Sequence, residues 1–193
     1  MNILVGCEFS GIVRDAFIRK GHNAVSCDLL DTEIPGNHII GDILNELNNN
    51  WDMLIAFPPC TYLCVSGARW FKDRPIQQQE GLEFVKKLMD APIDKIAIEN
   101  PIGVISTKIR KPDQIIQPYQ FGDNVKKSTC LWLKNLPKLV PSNIVEPEII
   151  TMKNGKKMSK FHYDTFALPK SKRSMERSRT FPGIAKAMAN QWG

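Results

Sequence analysis

The sequence contains few histidines and no cluster of metal-binding side chains. Its three histidines, His22, His38 and His162, are widely scattered. Cys60 and Cys64 lie four residues apart, but no second cysteine or histidine pair accompanies them at the spacing of a zinc site. We therefore expect no bound metal ion.

The sequence also lacks an apolar run of membrane-spanning length and a signal-peptide pattern. Its five cysteines are odd in number and lie mostly in apolar, strand-like runs, which favours reduced thiols over a disulfide framework. Internal repeats and linker-like stretches are absent as well. We expect a cytoplasmic protein without membrane association, folded as a single domain over residues 1–193, a length that suits one hydrophobic core.

Acidic side chains are scarce in the second half of the chain. Residues 107–193 carry 17 basic and 6 acidic side chains, whereas residues 1–106 carry 9 basic and 14 acidic ones. A polyanion-binding face produces such an asymmetry. A solvated basic surface is the equally open alternative.

The most informative stretch is the short apolar run 53–57, which ends at two prolines. Its length and continuous apolar character are typical of a buried strand in a parallel sheet. Pro58 and Pro59 end the strand pairing, so Cys60 lies just past the carboxyl end of the strand, where open α/β sheets bind their ligands. The Cys60 thiol is either a nucleophile with a lowered pKa or a small buried apolar side chain.

The first thirty residues predict a βαβ unit. Strands are expected over 2–9 and 23–29, with an amphipathic helix over 12–20 that Gly21 ends. Asp28 ends the second strand, in a position suited to hydrogen bonds with ribose hydroxyls. A solvated turn residue is the alternative interpretation of Asp28.

The remaining elements place further carboxyl groups near Cys60. Strands are predicted over 38–43, 95–99 and 128–133, helices over 77–89 and 184–192, and loops over 69–75 and 107–118. If the strands are parallel, Glu99 reaches the same sheet edge as Cys60, as a candidate acid or as a simple strand-end cap. Residues 134–180 predict an irregular basic insertion with a hairpin around Asn154-Gly155.

In this order the motifs resemble those of the DNA cytosine-5 methyltransferase family, in a compact form like those of bacteriophages. The resemblance covers most of the chain and implies a Rossmann-like class I methyltransferase fold, an α/β architecture with a mostly parallel sheet and helices on both faces. It implies that residues 134–180 form a reduced target-recognition insertion. The matching segments are Glu8-Phe9-Ser10-Gly11, Asp28, Gly41-Asp42-Ile43, Pro59-Cys60 with Ser66-Gly67, Glu99-Asn100, Lys127 and the helix that begins near Phe181.

The resemblance also implies roles for individual residues and a bacterial host cell as the location. Cys60 is the expected nucleophile toward cytosine and Glu99 recognises the base, while we expect Asn100 to position the cysteine loop. The cofactor is S-adenosylmethionine, bound by Phe9, Ser10, Gly11, Asp28, Asp42 and Pro58. The partner is DNA, double- or single-stranded, with the target cytosine flipped out, contacted by Arg69, Lys108, Arg110, Lys111, Lys126, Lys127, Arg177 and Arg179.

Several departures from the family pattern keep other functions open. Ile12-Val13-Arg14 replace a glycine-rich continuation, and the insertion is short for DNA recognition. One alternative is a catalytically inactive methyltransferase-like module that binds DNA or protein. Another is a pyrimidine C5-modifying enzyme with a different one-carbon donor. A protein partner for target recognition is also compatible with the sequence. Trp70 and Phe71 either stack on a base or anchor their loop in the core.

Overall fold

The computed structural model describes residues 1–193 and is organised around one seven-stranded sheet. The strands of this sheet are β1 (Asn2–Gly6), β2 (Asn23–Asp28), β3 (His38–Ile40), β4 (Met53–Ala56), β5 (Lys95–Pro101), β6 (Gln114–Ile116) and β7 (Thr129–Lys134). A separate hairpin consists of β8 (Ile149–Thr151) and β9 (Lys157–Ser159). The helices are α1 (Ile12–Ile18), α2 (Pro75–Met89), α3 (Ile105–Lys108), α4 (Lys160–Phe166), α5 (Lys170–Ser178) and α6 (Pro182–Trp192).

The strand order in the sheet is β3-β2-β1-β4-β5-β7-β6. The first five strands in this order run parallel to one another, and β7 runs antiparallel to both of its neighbours. Gly6 pairs with Ala56, and Ala56 pairs with Ile98. The carboxyl ends of β1, β4 and β5 therefore lie at the same level of one sheet edge, which is where functional residues collect in such folds.

Hydrophobic layers cover both faces of the sheet. Successive strand residues point to opposite faces, so Val5 packs on the side of α1 and α6, while Leu4 packs on the side of α2. Phe17 of α1 and Trp192 of α6 belong to the first layer, and Leu88 of α2 belongs to the second. Burial on both faces explains why the central strands are continuous apolar runs in the sequence.

Several predicted boundaries were wrong. The first strand ends at Gly6 rather than at residue 9, because Cys7 adopts a left-handed backbone with φ of 55°. The predicted loop 69–75 largely lies within a 3-10 helix over Val65–Asp73. The predicted loop 107–118 contains the end of α3 and all of β6.

The insertion 134–180 is more regular than predicted. Its hairpin around Asn154-Gly155 is confirmed, and Gly155 supplies the positive φ that the turn requires. The helices α4 and α5 were missed. None of the residues of α5 is buried, so this helix leaves no apolar periodicity in the sequence.

None of the helices combines the length and the apolar character needed to cross a membrane.

Candidate active site

The functional edge of the sheet is formed where β4 and β5 end. Phe57 follows β4 directly, and Glu99 and Asn100 form the last part of β5. The pairing of Ala56 with Ile98 places the segment after Ala56 beside Glu99. The predicted proximity of Cys60 and Glu99 therefore follows from the parallel pairing of these two strands.

Asn100 holds the cysteine loop against β5. Its side-chain Nδ2 donates a hydrogen bond of 2.7 Å to the carbonyl oxygen of Pro58, and only 1% of its surface is exposed. The prolines at 58 and 59 provide no N–H groups, so a side chain from the neighbouring strand replaces ladder pairing at this point. Asn100 thus occupies the positioning role that the sequence suggested.

Cys60 and Glu99 line one small cavity of about 80 Å³. Its other walls include Pro58, Pro59 and Lys127. The segment 177–181, which links α5 to α6, closes the cavity from the side opposite the sheet. This cavity brings together a thiol, a carboxyl group and an ammonium group, which is a set able to attack and polarise an electron-poor ring.

Burial raises the pKa of the Glu99 carboxyl above its ordinary value. The positive charge of Lys127 and the hydroxyl of Thr129 act in the opposite direction. Desolvation dominates because a carboxylate loses more solvation than a neutral acid when it leaves water. Glu99 is therefore suited to remain protonated and to donate a hydrogen bond within the cavity.

The Cys60 thiol is not the preferred site of negative charge in the resting protein. Hydrogen bonding with Cys64, burial and the negative charge of Glu99 raise the pKa of Cys60, while Lys127 lowers it. Cys64 has the opposite shift, because the Cys60 thiol, the Ser66 hydroxyl and the backbone N–H groups of Gly67 and Ser66 lower its pKa. The pair therefore favours a thiolate on Cys64 beside a protonated Cys60.

A second, larger cavity of about 440 Å³ adjoins the first across Pro59, which lines both. Asp28 and Asp42 contribute carboxylates to its wall. One oxygen of Asp28 accepts a hydrogen bond from the N–H of Leu30, and one oxygen of Asp42 accepts a hydrogen bond from the N–H of Leu44. The second oxygen of each carboxylate has no hydrogen bond within the protein and remains available to a ligand. The other lining residues include Cys7, Cys27, Leu29, Gly41, Ile43, Tyr62 and Phe84.

Three residues expected to bind the cofactor, Phe9, Ser10 and Gly11, lie outside both cavities. The carboxylate of Glu8 accepts hydrogen bonds from the N–H of Val13 at 2.7 Å and from the N–H of Arg14 at 3.4 Å. These are N–H groups at the start of α1, so Glu8 itself occupies the anion site of this helix. Pro58, the fourth residue set apart from the expected group, lines the smaller cavity with Cys60.

A basic groove runs from the cysteine loop to α5. It has a volume of about 500 Å³ and is lined by Thr61, Tyr62, Gly67, Arg69, Trp70, Phe71, Arg74, Lys170 and Arg173. The guanidinium of Arg69 stacks 5.1 Å from the centre of the Trp70 ring, and that of Arg74 lies 5.6 Å from the Tyr62 ring. Trp70 is 53% exposed, which contradicts its interpretation as a core anchor. Basic groups interleaved with aromatic rings are typical of surfaces that bind nucleic acid strands.

The predicted DNA-contacting residues do not form one surface. Arg69 lies in the groove, and Lys127 lies in the cysteine cavity, where its ammonium donates to the carbonyl of Arg177. Arg177 holds α4 to α5 through Thr165 and the carbonyl of His162. Arg179 forms a salt bridge with Glu33, and Arg110 forms one with Asp113. Lys108, Lys111 and Lys126 form no salt bridge and line neither the groove nor the two cavities.

Sequence reasoning missed Arg74 as a functional residue and treated Lys170 and Arg173 only as members of a basic cluster. Arg74 ends the 3-10 helix and faces Tyr62 rather than solvent alone. An alternation of basic and aromatic residues over Arg69, Trp70, Phe71 and Arg74 was the available signal. The contribution of α5 to the same groove depends on tertiary structure and had no local signal.

No protein-family model and no curated protein matches the chain. Solved structures do match it, and one is described as a "putative DNA modification methyltransferase encoded within prophage" in E. coli. It superposes with a TM-score of 0.50 at 13% sequence identity, over 76% of this chain and 52% of the other. The chain therefore spans about half the length of that structure. Together with the mostly parallel sheet, the match shows that this protein has the Rossmann-like fold of class I methyltransferases.

Proposed function

We propose that this protein is an S-adenosylmethionine-dependent DNA methyltransferase that modifies carbon 5 of cytosine through a covalent adduct with Cys60. The observation that carries the proposal is the pair of cavities on either side of Pro59. One presents the carboxylates of Asp28 and Asp42, and the other presents Cys60 and Glu99. A donor and an acceptor held in adjoining cavities are what group transfer requires.

Cys60 and Glu99 supply the chemistry that cytosine needs. Carbon 5 of cytosine is a weak nucleophile, and attack of the Cys60 sulfur at carbon 6 converts the ring into an enamine. Glu99, kept protonated by its raised pKa, donates a hydrogen bond to the ring nitrogen at position 3 as negative charge develops there. This hydrogen bond strengthens toward the transition state, which is the differential binding that accelerates a reaction.

The larger cavity fits a nucleoside cofactor. Its volume of about 440 Å³ is in the usual range of small-molecule sites. The free carboxylate oxygens of Asp28 and Asp42 accept hydrogen bonds from ribose hydroxyls or an amino group, and Ile43 and Phe84 offer apolar surface to a purine. S-adenosylmethionine bound here would supply an electrophilic methyl group to carbon 5 of the activated ring.

The basic groove supports DNA as the substrate. Carbon 6 of a stacked cytosine is inaccessible, so the target base must leave the helix or belong to a single strand. Thr61 and Tyr62 line the groove immediately after Cys60, and Arg69, Lys170 and Arg173 present cations along it. A strand that follows the groove passes the mouth of the catalytic loop.

Isothermal titration calorimetry with S-adenosylmethionine and S-adenosylhomocysteine tests the cofactor site. We expect both ligands to bind, and we expect Asp28→Ala and Asp42→Ala each to weaken binding by about tenfold or more, the value of one hydrogen bond to a charged group. Asp31→Ala is the matched control because Asp31 is exposed and lies outside the cavity. Its affinity should equal that of the unmodified protein.

A folded protein that binds neither ligand would overturn this proposal. A methyltransferase-like binding module is the second candidate, and the capture of the α1 N-terminus by Glu8 favours it, because no backbone N–H remains there for a cofactor. A pyrimidine-modifying enzyme with another one-carbon donor predicts the same negative titration. It differs from a binding module in requiring Cys60.

A further inference from the structure

Cys64 lies directly behind the nucleophile, one turn further along the chain. The N–H groups of Leu63 and Cys64 both donate 3.0 Å hydrogen bonds to the carbonyl of Cys60. This turn brings the thiols of Cys60 and Cys64 into mutual hydrogen-bonding range. Cys60 lines the catalytic cavity, whereas Cys64 does not line it and is only 7% exposed. The two thiols are therefore not equivalent, since only that of Cys60 can meet a substrate.

The surroundings of Cys64 stabilise a negative charge. The Ser66 hydroxyl lies 3.0 Å from the Cys64 sulfur, and the backbone N–H groups of Ser66 and Gly67 also act on it. These donors come from the same turn, so they are in place before any substrate arrives. Cys60, by contrast, faces the carboxyl group of Glu99, which disfavours a thiolate at that position.

The backbone around the pair is fixed on both sides. The N–H of Val104 donates to the carbonyl of Leu63 at 2.8 Å, and the N–H of Val65 donates to the carbonyl of Ile102 at 3.0 Å. Gly103 packs so tightly against this turn that an added Cβ would lie 2.0 Å from the carbonyl oxygen of Leu63. The contact between the thiols is therefore a property of the folded loop and not of a mobile side chain.

We propose that Cys64 is the base that activates Cys60, accepting its proton as the Cys60 sulfur attacks the pyrimidine. In this step the Cys60 S–H bond breaks, a Cys64 S–H bond forms, and the sulfur–carbon 6 bond forms as the ring electrons move toward the nitrogen at position 3. When the product leaves, the electrons return to the Cys60 sulfur and Cys64 gives back the proton. This inference rests on the proposed cysteine chemistry and adds a second thiol to it.

The test is the pH dependence of Cys60 alkylation by iodoacetamide, followed by peptide mass spectrometry without cofactor or DNA. In the unmodified protein we expect Cys60 to react at neutral pH, because its proton passes to Cys64. In Cys64→Ser, which keeps a side chain of similar size, the midpoint should rise by at least about one pH unit, past the ordinary thiol value near 8.5. The rate at pH 7 should fall by about tenfold or more.

Ser66→Ala should shift the midpoint in the same direction by a smaller amount, because it removes one hydrogen bond to Cys64. Cys27→Ser, which removes a buried thiol on a different strand, is the control and should leave the midpoint unchanged. An unchanged midpoint in Cys64→Ser, or alkylation of Cys64 in preference to Cys60, would overturn the proposal. Because the assay needs neither cofactor nor DNA, its failure is distinguishable from a failure of methyl transfer.

Discussion

At the scale of single residues, Glu99 has the most direct effect on both stability and chemistry. Its carboxyl group is buried at the end of a central strand, and burial raises its pKa from the ordinary value of 4.5. A raised pKa means that the folded protein prefers the protonated form. The stabilisation is then complete at pH values below the ordinary pKa and is lost as the pH rises through the folded pKa.

We predict that Glu99→Gln becomes increasingly stabilising, relative to the unmodified protein, as the pH is raised from about 4.5. Glutamine is neutral at every pH, whereas Glu99 costs about 1.4 kcal/mol for each unit by which its pKa is raised. Thermal unfolding of both proteins between pH 4 and 9 measures the difference. Glu83→Gln, an exposed substitution on α2, is the control and should give a constant difference. A constant difference for Glu99→Gln as well would show that Glu99 is not desolvated.

Residue roles were predictable where they follow from strand ends and not where they depend on loop packing. Cys60 and Glu99 come together because parallel strands end at one edge, which the sequence pattern predicted. The role of Cys64 was invisible, because it depends on a turn that the contacts of Gly103 fix. Four residues apart suggested a redox or metal pair equally well.

At the scale of elements, α1 explains the departure from a glycine-rich turn at Ile12-Val13-Arg14. Arg14 is completely buried. Its guanidinium donates to the Ser26 and Thr32 hydroxyls and to the carbonyl of Ile34, besides pairing with Asp15. The side chain thus fastens the loop between β2 and β3, whose first residue, Leu29, lines the cofactor cavity.

We predict that Arg14→Leu destabilises the protein by about 1–3 kcal/mol, because it leaves buried acceptors without partners. It should also weaken S-adenosylmethionine binding, although Arg14 does not line the cavity. Chemical denaturation and calorimetry measure the two effects. Arg19→Leu, an exposed substitution at the end of the same helix, should change neither. Unaltered stability of Arg14→Leu would contradict the anchoring role.

Elements buried on one or both faces were predictable, and elements that only cover the surface were not. β1, β4 and β5 appear in the sequence because their side chains pack into two hydrophobic layers. The polar helix α5 has no such pattern, yet it contributes Lys170 and Arg173 to the groove. Its position depends on contacts from distant segments, such as the bond from Lys127 to the carbonyl of Arg177.

At the scale of the whole molecule, the basic excess of residues 107–193 is distributed over several surfaces. Part of it serves internal contacts, as the salt bridges of Arg110 and Arg179 show. The groove instead combines α5 with the loop after Cys60, which lies in the acidic half of the sequence. Net charge therefore predicted a polyanion-binding protein but not the location of the surface. The single domain over residues 1–193, with 134–180 as its insertion, stays a prediction.

Nucleoside analysis is the measurement that tests the proposed reaction most directly. Duplex and single-stranded DNA are incubated with the protein and S-adenosylmethionine labelled with deuterium in the methyl group, then digested and analysed by mass spectrometry. We predict labelled 5-methyldeoxycytidine from the unmodified protein and none from Cys60→Ser, which lacks the thiol nucleophile but remains nearly isosteric. Label on an exocyclic nitrogen of cytosine or adenine, or full activity of Cys60→Ser, would contradict the covalent mechanism at carbon 5.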